Sequence, residues 1–417
     1  MSANELAIVA AAVLLFGLFG KRLGGGLLTI PLVFSLFGFA LGDAGLDLVT
    51  FEAMDGTILM IAELTLTLIL FSDAARLDIK TLLKERQLAI RMLMIGMPVA
   101  LVLGAGLAYW LFPGIGLLPA LLLAAMLVPT DAALGQPILN HPDIPLKTRQ
   151  VMIAESGLND GLALPAVVML AIFASVAHTG GAGSAEGSAS MHGVDGSALS
   201  MAVFAGKQII LGPLFGGLVA LIGGRWLDRA ISGKKIDDKI EGIILLALAI
   251  LSYALAESLG GNGFLAAFAA GITLGCTVRH RCGSLIDFME EEGQILTMFA
   301  FLLFGAMLLP EGLAVAGPAT VLYALGSLFV VRVLAILVAL IGSKAPWKER
   351  FLMGWFGPRG LASLLFALMI LEIYPIPQAQ EIRACVMLTV GFSVILHGLS
   401  AMPLAKLYGR SIKSKPH

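Results

Sequence analysis

Runs of apolar residues long enough to cross a bilayer recur thirteen times along the chain. They lie near 5–20, 26–42, 56–74, 88–111, 115–139, 150–177, 200–222, 240–258, 262–277, 293–309, 318–342, 351–372 and 383–406. At 1.5 Å per residue, roughly 17–25 helical residues span a hydrocarbon core of about 30 Å. Composition rules out a water-soluble alternative. Charged residues are 13% and hydrophobic residues 58% of the 417, with a mean hydropathy of +0.94, whereas soluble domains carry roughly 25% charge. The bilayer is therefore the solvent for most of the chain, and backbone groups there must be satisfied within each segment. The predicted fold is an all-α polytopic membrane protein of about thirteen transmembrane helices. Residues 5–20 lack a preceding basic segment and a cleavage site apart from Lys21-Arg22, so they are read as the first span, not a signal peptide.

The net charge of −1 gives nucleic acid no electrostatic foothold. Cys276, Cys282 and Cys385 make neither a disulfide framework nor a metal spacing. The six histidines are scattered, and His397 reads as a hydrogen-bonded core residue.

Basic residues set the orientation. Alternate loops hold Lys21-Arg22, Arg76 to Arg86, Lys147/Arg149, Arg225 to Lys239, Arg279/Arg281, Lys344 to Arg350 and the tail from Lys406, together 22 of the 27 Lys and Arg. The opposite loops hold Arg383 alone, with Asp43, Asp47, Glu52, Asp55, Glu186, Asp195 and Glu311. The positive-inside rule then places the N-terminus outside and the C-terminus in the cytoplasm. Arg91 and Lys207, near span ends, are expected to snorkel.

An odd span count suggests one transmembrane domain over 1–417 built as two inverted six-helix repeats, about 5–177 and 240–406. The Gly/Ser-rich linker 178–200 and span seven at 200–222 join them, and 407–417 is a short tail with no large cytoplasmic domain expected. Spans five and twelve are interrupted in matching positions. The first breaks at Val128-Pro129-Thr130-Asp131 and again at Gly135-Gln136-Pro137; the second breaks at Gly357-Pro358-Arg359-Gly360.

A charge at mid-membrane costs at least about 2.5–3.5 kcal/mol, so an intramembrane carboxylate marks function by default. The densest cluster is Glu155-Ser156-Gly157-Leu158-Asn159-Asp160-Gly161 in span six. Counting ten residues from Gln150 puts Asp160 about 15 Å deep, half the core. Helical spacing pairs Ser156 with Asp160 on one face, offering a carboxylate and a hydroxyl to a small cation. Glu155 and Asn159 share the neighbouring face. The Pro129 break frees carbonyls beside Thr130 and Asp131, which suit hard cations. Asp73 ends span three as either a solvated span end or a funnel. Arg332 lies in a wholly apolar run and needs an acid, for which Glu155 is the candidate; Arg359 is read as a gate or a clamp.

Val-Pro-Thr-Asp at 128–131, followed by Glu-Ser-Gly-Leu-Asn-Asp-Gly at 155–161, resembles the monovalent cation:proton antiporters, in particular the NhaP-type sodium/proton exchangers. Gly263 to Phe268 with Gly271, and Trp355 to Gly360, add to the likeness, which runs from about residue 6 to 406. The resemblance implies a secondary transporter exchanging Na⁺, Li⁺ or K⁺ for H⁺. It is not an enzyme and needs no cofactor beyond the ions it carries. It implies a homodimer whose core domain moves against a dimerisation domain in an elevator-type cycle. Asp160 would carry cation and proton in competition, with Ser156, the Thr130 backbone and Asp73 completing the site. Glu155 would pair with Arg332. Asn159 before Asp160, instead of a second aspartate, resembles the electroneutral branch. Asp73 falls one position from where some bacterial relatives align their acid.

A potassium–proton antiporter on the same scaffold is the nearest rival reading. An organic-anion carrier would need cationic or neutral donors at the break, and an intramembrane aspartyl protease using Asp131 and Asp160 would leave Glu155 and Asn159 without a role. Short loops favour a bacterial inner membrane.

Overall fold

The computed structural model describes residues 29–49, 55–139, 141–179, 198–233, 238–278 and 282–413, with eight residues between 7 and 18 that are helical. All regular structure among the described residues is helical. The order is α1 Ile30–Leu41, α2 Asp55–Ala75, α3 Ile79–Leu111, α4 Leu117–Met126, α5 Ala132–Leu139, α6 Leu146–Thr179 and α7 Ala198–Ser232. Next come α8 Asp238–Ser258, α9 Gly263–Thr277, and α10 from Cys282–Leu303 through a π-helical turn to Leu309–Val315. The last are α11 Pro318–Ala339, α12 Trp347–Trp355, α13 Leu361–Ile373 and α14 Ala379–Lys413. With α4/α5 and α12/α13 each counted as one interrupted span, these fall on the second to thirteenth predicted runs. The helical residues between 7 and 18 fall on the first.

Seven of the described helices are long and apolar enough to cross a membrane; α4 and α13 are shorter because their spans are broken. Several helices overrun their predicted ends. The helix α7 continues to Ser232 and takes Arg225 and Arg229 with it, stopping before Gly233. Charge ends the apolar run, but nothing in those side chains ends the helix. Most of the predicted linker 178–200, together with Lys21, Arg22, Lys234, Lys235, Arg279 and Arg281, lies outside the described residues.

Two helix groups pack chiefly among themselves: α1, α2 and α7–α10 in one, α3–α6 and α11–α14 in the other. They meet where the end of α10, Leu309–Val315, packs on α14, where α6 packs on α2 and α9, and where α13 packs on α2. Within the first group, small residues allow backbone contact. A Cβ on Gly38 of α1 or Gly305 of α10 would lie 2.0 Å from a carbonyl oxygen of the opposite helix, the close approach typical of helices associating in lipid.

Candidate functional site

The two broken spans cross at their breaks, and each break is terminated by a charge from the other. Pro129 lacks an N–H and biases Val128 away from helix, so α4 stops at Met126. Nη1 of Arg359 donates to the carbonyls of Val128 at 3.1 Å and Pro129 at 3.2 Å, with a longer bond to Gly357 at 3.4 Å. In return, Asp131 donates its N–H to the Pro358 carbonyl at 2.8 Å. Its Oδ2 accepts from the N–H of Leu361, the first residue of α13, at 2.9 Å. A cation thus sits at a helix C-terminal end and an anion at an N-terminal end, as the helix dipoles favour. Asp131 and Arg359 are both buried. A Cβ on Gly360 would lie 1.9 Å from Asp131 Oδ2, so the crossing has no room there for a side chain.

This arrangement corrects two expectations. The carbonyls of Val128 and Pro129 belong to Arg359, the clamp of the two roles considered for it, instead of being open to a cation. The second predicted interruption, at 135–137, is absent. Pro137 lies inside α5 near its end, where its ring costs that short helix a single bond.

Thr130 hangs from the first break onto α6. Its N–H donates to Asn159 Oδ1 at 3.2 Å, and its Oγ1 accepts from Asn159 Nδ2 at 2.8 Å. The same hydroxyl lies 2.9 Å from Ser156 Oγ and 3.4 Å from Glu155 Oε2. Asn159 Nδ2 also donates to Glu155 Oε1 at 3.1 Å, one turn along the helix. Arg332 then closes the network with a two-pronged contact to Glu155, 2.8 Å to Oε1 and 3.0 Å to Oε2. Two local features aim that guanidinium. The π turn Ser327–Val331 shifts the register of α11 immediately before Arg332, and Gly357 leaves the space beside it, since a Cβ there would meet Arg332 Nε at 2.2 Å.

Asp160 differs from these groups. It is 2% exposed, one turn beyond Ser156, and its Oδ1 has no hydrogen-bond partner among the described residues. Asp73 is half-buried next to buried Ser72 in the last turn of α2, the helix on which α6 and α13 pack. Thr130, Glu155, Ser156, Asn159 and Arg332 therefore form one network. Asp131 and Arg359 form the adjoining crossing, and Asp160 lies one turn further along α6.

Sequence reasoning missed some of the support. Asn262 caps α9 by accepting from Leu265 N–H at 2.9 Å, and its Nδ2 donates to the Gly161 carbonyl at 2.9 Å, tying α9 to α6 beside Asp160. An Asn directly before an apolar run is the signal that could have found it. Glu63, an acid within span three, lies beside Tyr253 of α8, while Glu257 accepts from Gly263 N–H at 2.8 Å; the default rule for intramembrane acids would have singled out Glu63. Arg91 does not snorkel: it donates through Nε to the Ala339 carbonyl at 2.8 Å and through Nη2 to that of Ile341, closing the end of α11. His397 is a bonded core residue, with Nε2 2.8 Å from the Trp355 carbonyl and Nδ1 3.0 Å from that of Ser393. Ser393 Oγ accepts from the Arg359 backbone N–H at 2.7 Å.

The family described as "Sodium/hydrogen exchanger, transmembrane" matches residues 8–407. The K(+)/H(+) antiporter NhaP2 of Shewanella oneidensis is 26% identical over 420 residues, covering 98% of this chain and 67% of the relative. The uncharacterized Na(+)/H(+) exchanger YjcE of Escherichia coli is 35% identical over 187 residues, 44% of this chain and 30% of that protein. The solved sodium proton antiporter MjNhaP1 of Methanocaldococcus jannaschii superposes with a TM-score of 0.74, covering 98% of this chain and 97% of its own, at 18% identity. That likeness shows the fold.

Proposed function

This chain belongs to the sodium/hydrogen exchanger family, and we propose that it exchanges a monovalent cation for protons across the membrane, with Asp160 as the carboxylate for which the two ions compete. One observation carries the assignment to Asp160. Glu155 and Arg332 are engaged with each other, Asp131 and Arg359 terminate opposite breaks, and Asp160 keeps an open oxygen in a buried site. Ser156 shares its helix face, and the Thr130 hydroxyl lies 2.9 Å from Ser156 Oγ. We assign Ser156 and Thr130 to the cation as hard oxygen ligands, Asp131 to holding the break, and Asp73 to the approach from α2.

The exchange mechanism follows from charge. A carboxylate in the bilayer crosses at low cost only when neutralised, and either a proton or a monovalent cation can do that, but not both together. Such a site exchanges one ion for one ion, with no net charge moved. Asn159 supports this count. Its amide donates to both Thr130 and Glu155, and an aspartate there has no such donor. The moving part is the group α3–α6 with α11–α14, displaced against α1, α2 and α7–α10 in an elevator-type cycle. The repeats are about 5–177 and 240–406, and the protein is a homodimer in the inner membrane, N-terminus outside and C-terminus in the cytoplasm.

Sodium is the first assignment, on the residue resemblance. Potassium is the second reading, favoured by the name of the Shewanella relative aligned along 98% of this chain. The test uses the purified protein in vesicles with a trapped pH dye. Adding Na⁺, Li⁺ or K⁺ to acid-loaded vesicles releases protons for each transported ion, and Asp160→Asn stops the release. Retained exchange in that variant would falsify the assignment.

A further inference from the structure

A cleft of about 370 Å³ opens between α12 and the end of α14. Trp347, Lys348 and Trp355 line one wall, and Leu404, Leu407 and Tyr408 the other. The stripe has the composition of a membrane–water boundary: indole and phenol rings with an apolar floor, and a lysine at the mouth. Its exposed charges are mostly basic. Lys344, Lys348, Lys406 and Arg410 lie on the two segments that form it, and all four are exposed. Glu349 is the sole acid in residues 344–355 and 404–413. It is buried, accepting from Thr148 Oγ1 at 2.7 Å with Lys147 Nζ 3.6 Å away, and half-buried Asp143 packs against α14 at Gly409; neither acid lines the cleft, whereas Lys348 does. Arg350 is likewise committed, to the carbonyls of Ala345 and Ser343 at 2.8 Å each.

The inner end of the cleft reaches the broken span. Trp355 is the last residue of α12, and the break begins at Phe356, which also lines the cleft. The Trp355 indole donates to Ser400 Oγ at 3.0 Å and lies 5.1 Å from the His397 ring. His397 contacts Ser393, whose hydroxyl holds the Arg359 backbone. Whatever packs on Trp355 therefore bears on the segment that carries Arg359.

We propose that this cleft binds one anionic phospholipid, its acyl chain against Trp355 and Leu404 and its phosphate on Lys348, and that the bound lipid steadies the adjacent helix break. A free phosphate would use the lysine and leave the apolar walls unused; a neutral lipid would use the walls and leave the basic mouth unused. An anionic lipid uses both.

Two arms test the proposal on the full chain. The first reads binding in detergent by native mass spectrometry, and does not depend on exchange activity. The protein retains one phosphatidylglycerol in preference to phosphatidylcholine, and soluble glycerol phosphate does not displace it. Lys348→Ala weakens retention roughly fivefold, the effect of about one basic residue near a lipid surface. Leu407→Trp, at a position 59% exposed and so free to accept the larger ring, fills the cleft and prevents retention. The second arm reads ion exchange in phosphatidylcholine vesicles with and without phosphatidylglycerol. The parent protein speeds up severalfold with the anionic lipid; both variants keep its rate in phosphatidylcholine and lose the response. Equal retention of the two lipids, displacement by glycerol phosphate alone, or variants that respond as the parent does would each overturn the proposal.

Discussion

Glu155 and Asp160 stand five residues apart on one helix, each 2% exposed, and they have opposite surroundings. Every oxygen of Glu155 is engaged, by the forked guanidinium of Arg332, the amide of Asn159 and the hydroxyl of Thr130. Asp160 leaves Oδ1 open. Burial alone therefore does not assign a role to a carboxylate. A paired one offsets its desolvation cost with charge-assisted bonds and becomes part of the framework. An open one remains available to a mobile ion. The same helix supplies both because a step of five residues carries a side chain past its neighbouring face.

The contrast can be broken at its extremes. Asp160→Asn is expected to reduce cation/proton exchange to the background of empty vesicles while leaving the thermal unfolding midpoint near that of the parent; a large loss of stability would make Asp160 a framework residue like Glu155. Arg332→Ala is expected to lower stability by about 3–5 kcal/mol, because it leaves a buried carboxylate without its partner. The double variant Glu155→Leu with Arg332→Leu should recover much of that loss in denaturation experiments, and a double variant no better than the single one would contradict the pairing energetics.

Smaller changes sharpen the comparison. Asn159→Asp deletes the amide donor to Thr130 and Glu155 and should cost about 1–3 kcal/mol. If that variant transports, its rate should now respond to an imposed membrane potential, whereas the parent's should not. Ser156→Ala is the mildest, removing one hydroxyl contact to Thr130 for about 1 kcal/mol of stability. Its effect should be on the cation concentration that half-saturates exchange, which rises severalfold with the maximal rate nearly unchanged.

Much of this was legible in the sequence, for physical reasons particular to lipid. The span count could be read because a bilayer forces each crossing into one apolar run. The Glu155–Arg332 pair could be read because Arg332, flanked by Val330, Val331, Val333 and Leu334, has no route to water. The breaks at Pro129 and Pro358 showed as Pro next to Thr-Asp and Arg-Gly. What they do for each other did not show. That Asp131 terminates the helix begun at Leu361, 230 positions along the chain, depends on how two spans cross, and no local spacing encodes it. For the same reason the Pro129 carbonyls read as free when Arg359 holds them. The register shift at Ser327–Val331 was invisible because π turns carry no composition of their own. Asn262 is a lone polar residue beside the glycine motif that begins at Gly263, and Glu63 sits among apolar residues and threonines, so neither stands out as a cluster.

The crossing of the two breaks has a consequence for how the chain can change over generations. Asp131 finishes the helix that follows residue 360, and Arg359 finishes the helix that precedes residue 129. A mutation at either position therefore damages a segment encoded in the other half of the gene, leaving an amide or carbonyl there without its partner. Each half of the gene is constrained by a helix end that lies in the other. In a library randomised at positions 131 and 359 and selected for survival in salt, functional clones should keep an acceptor at 131 and a donor at 359. Clones that carry apolar residues at either position and grow as well as the parent would show that the crossing does not need these ends satisfied.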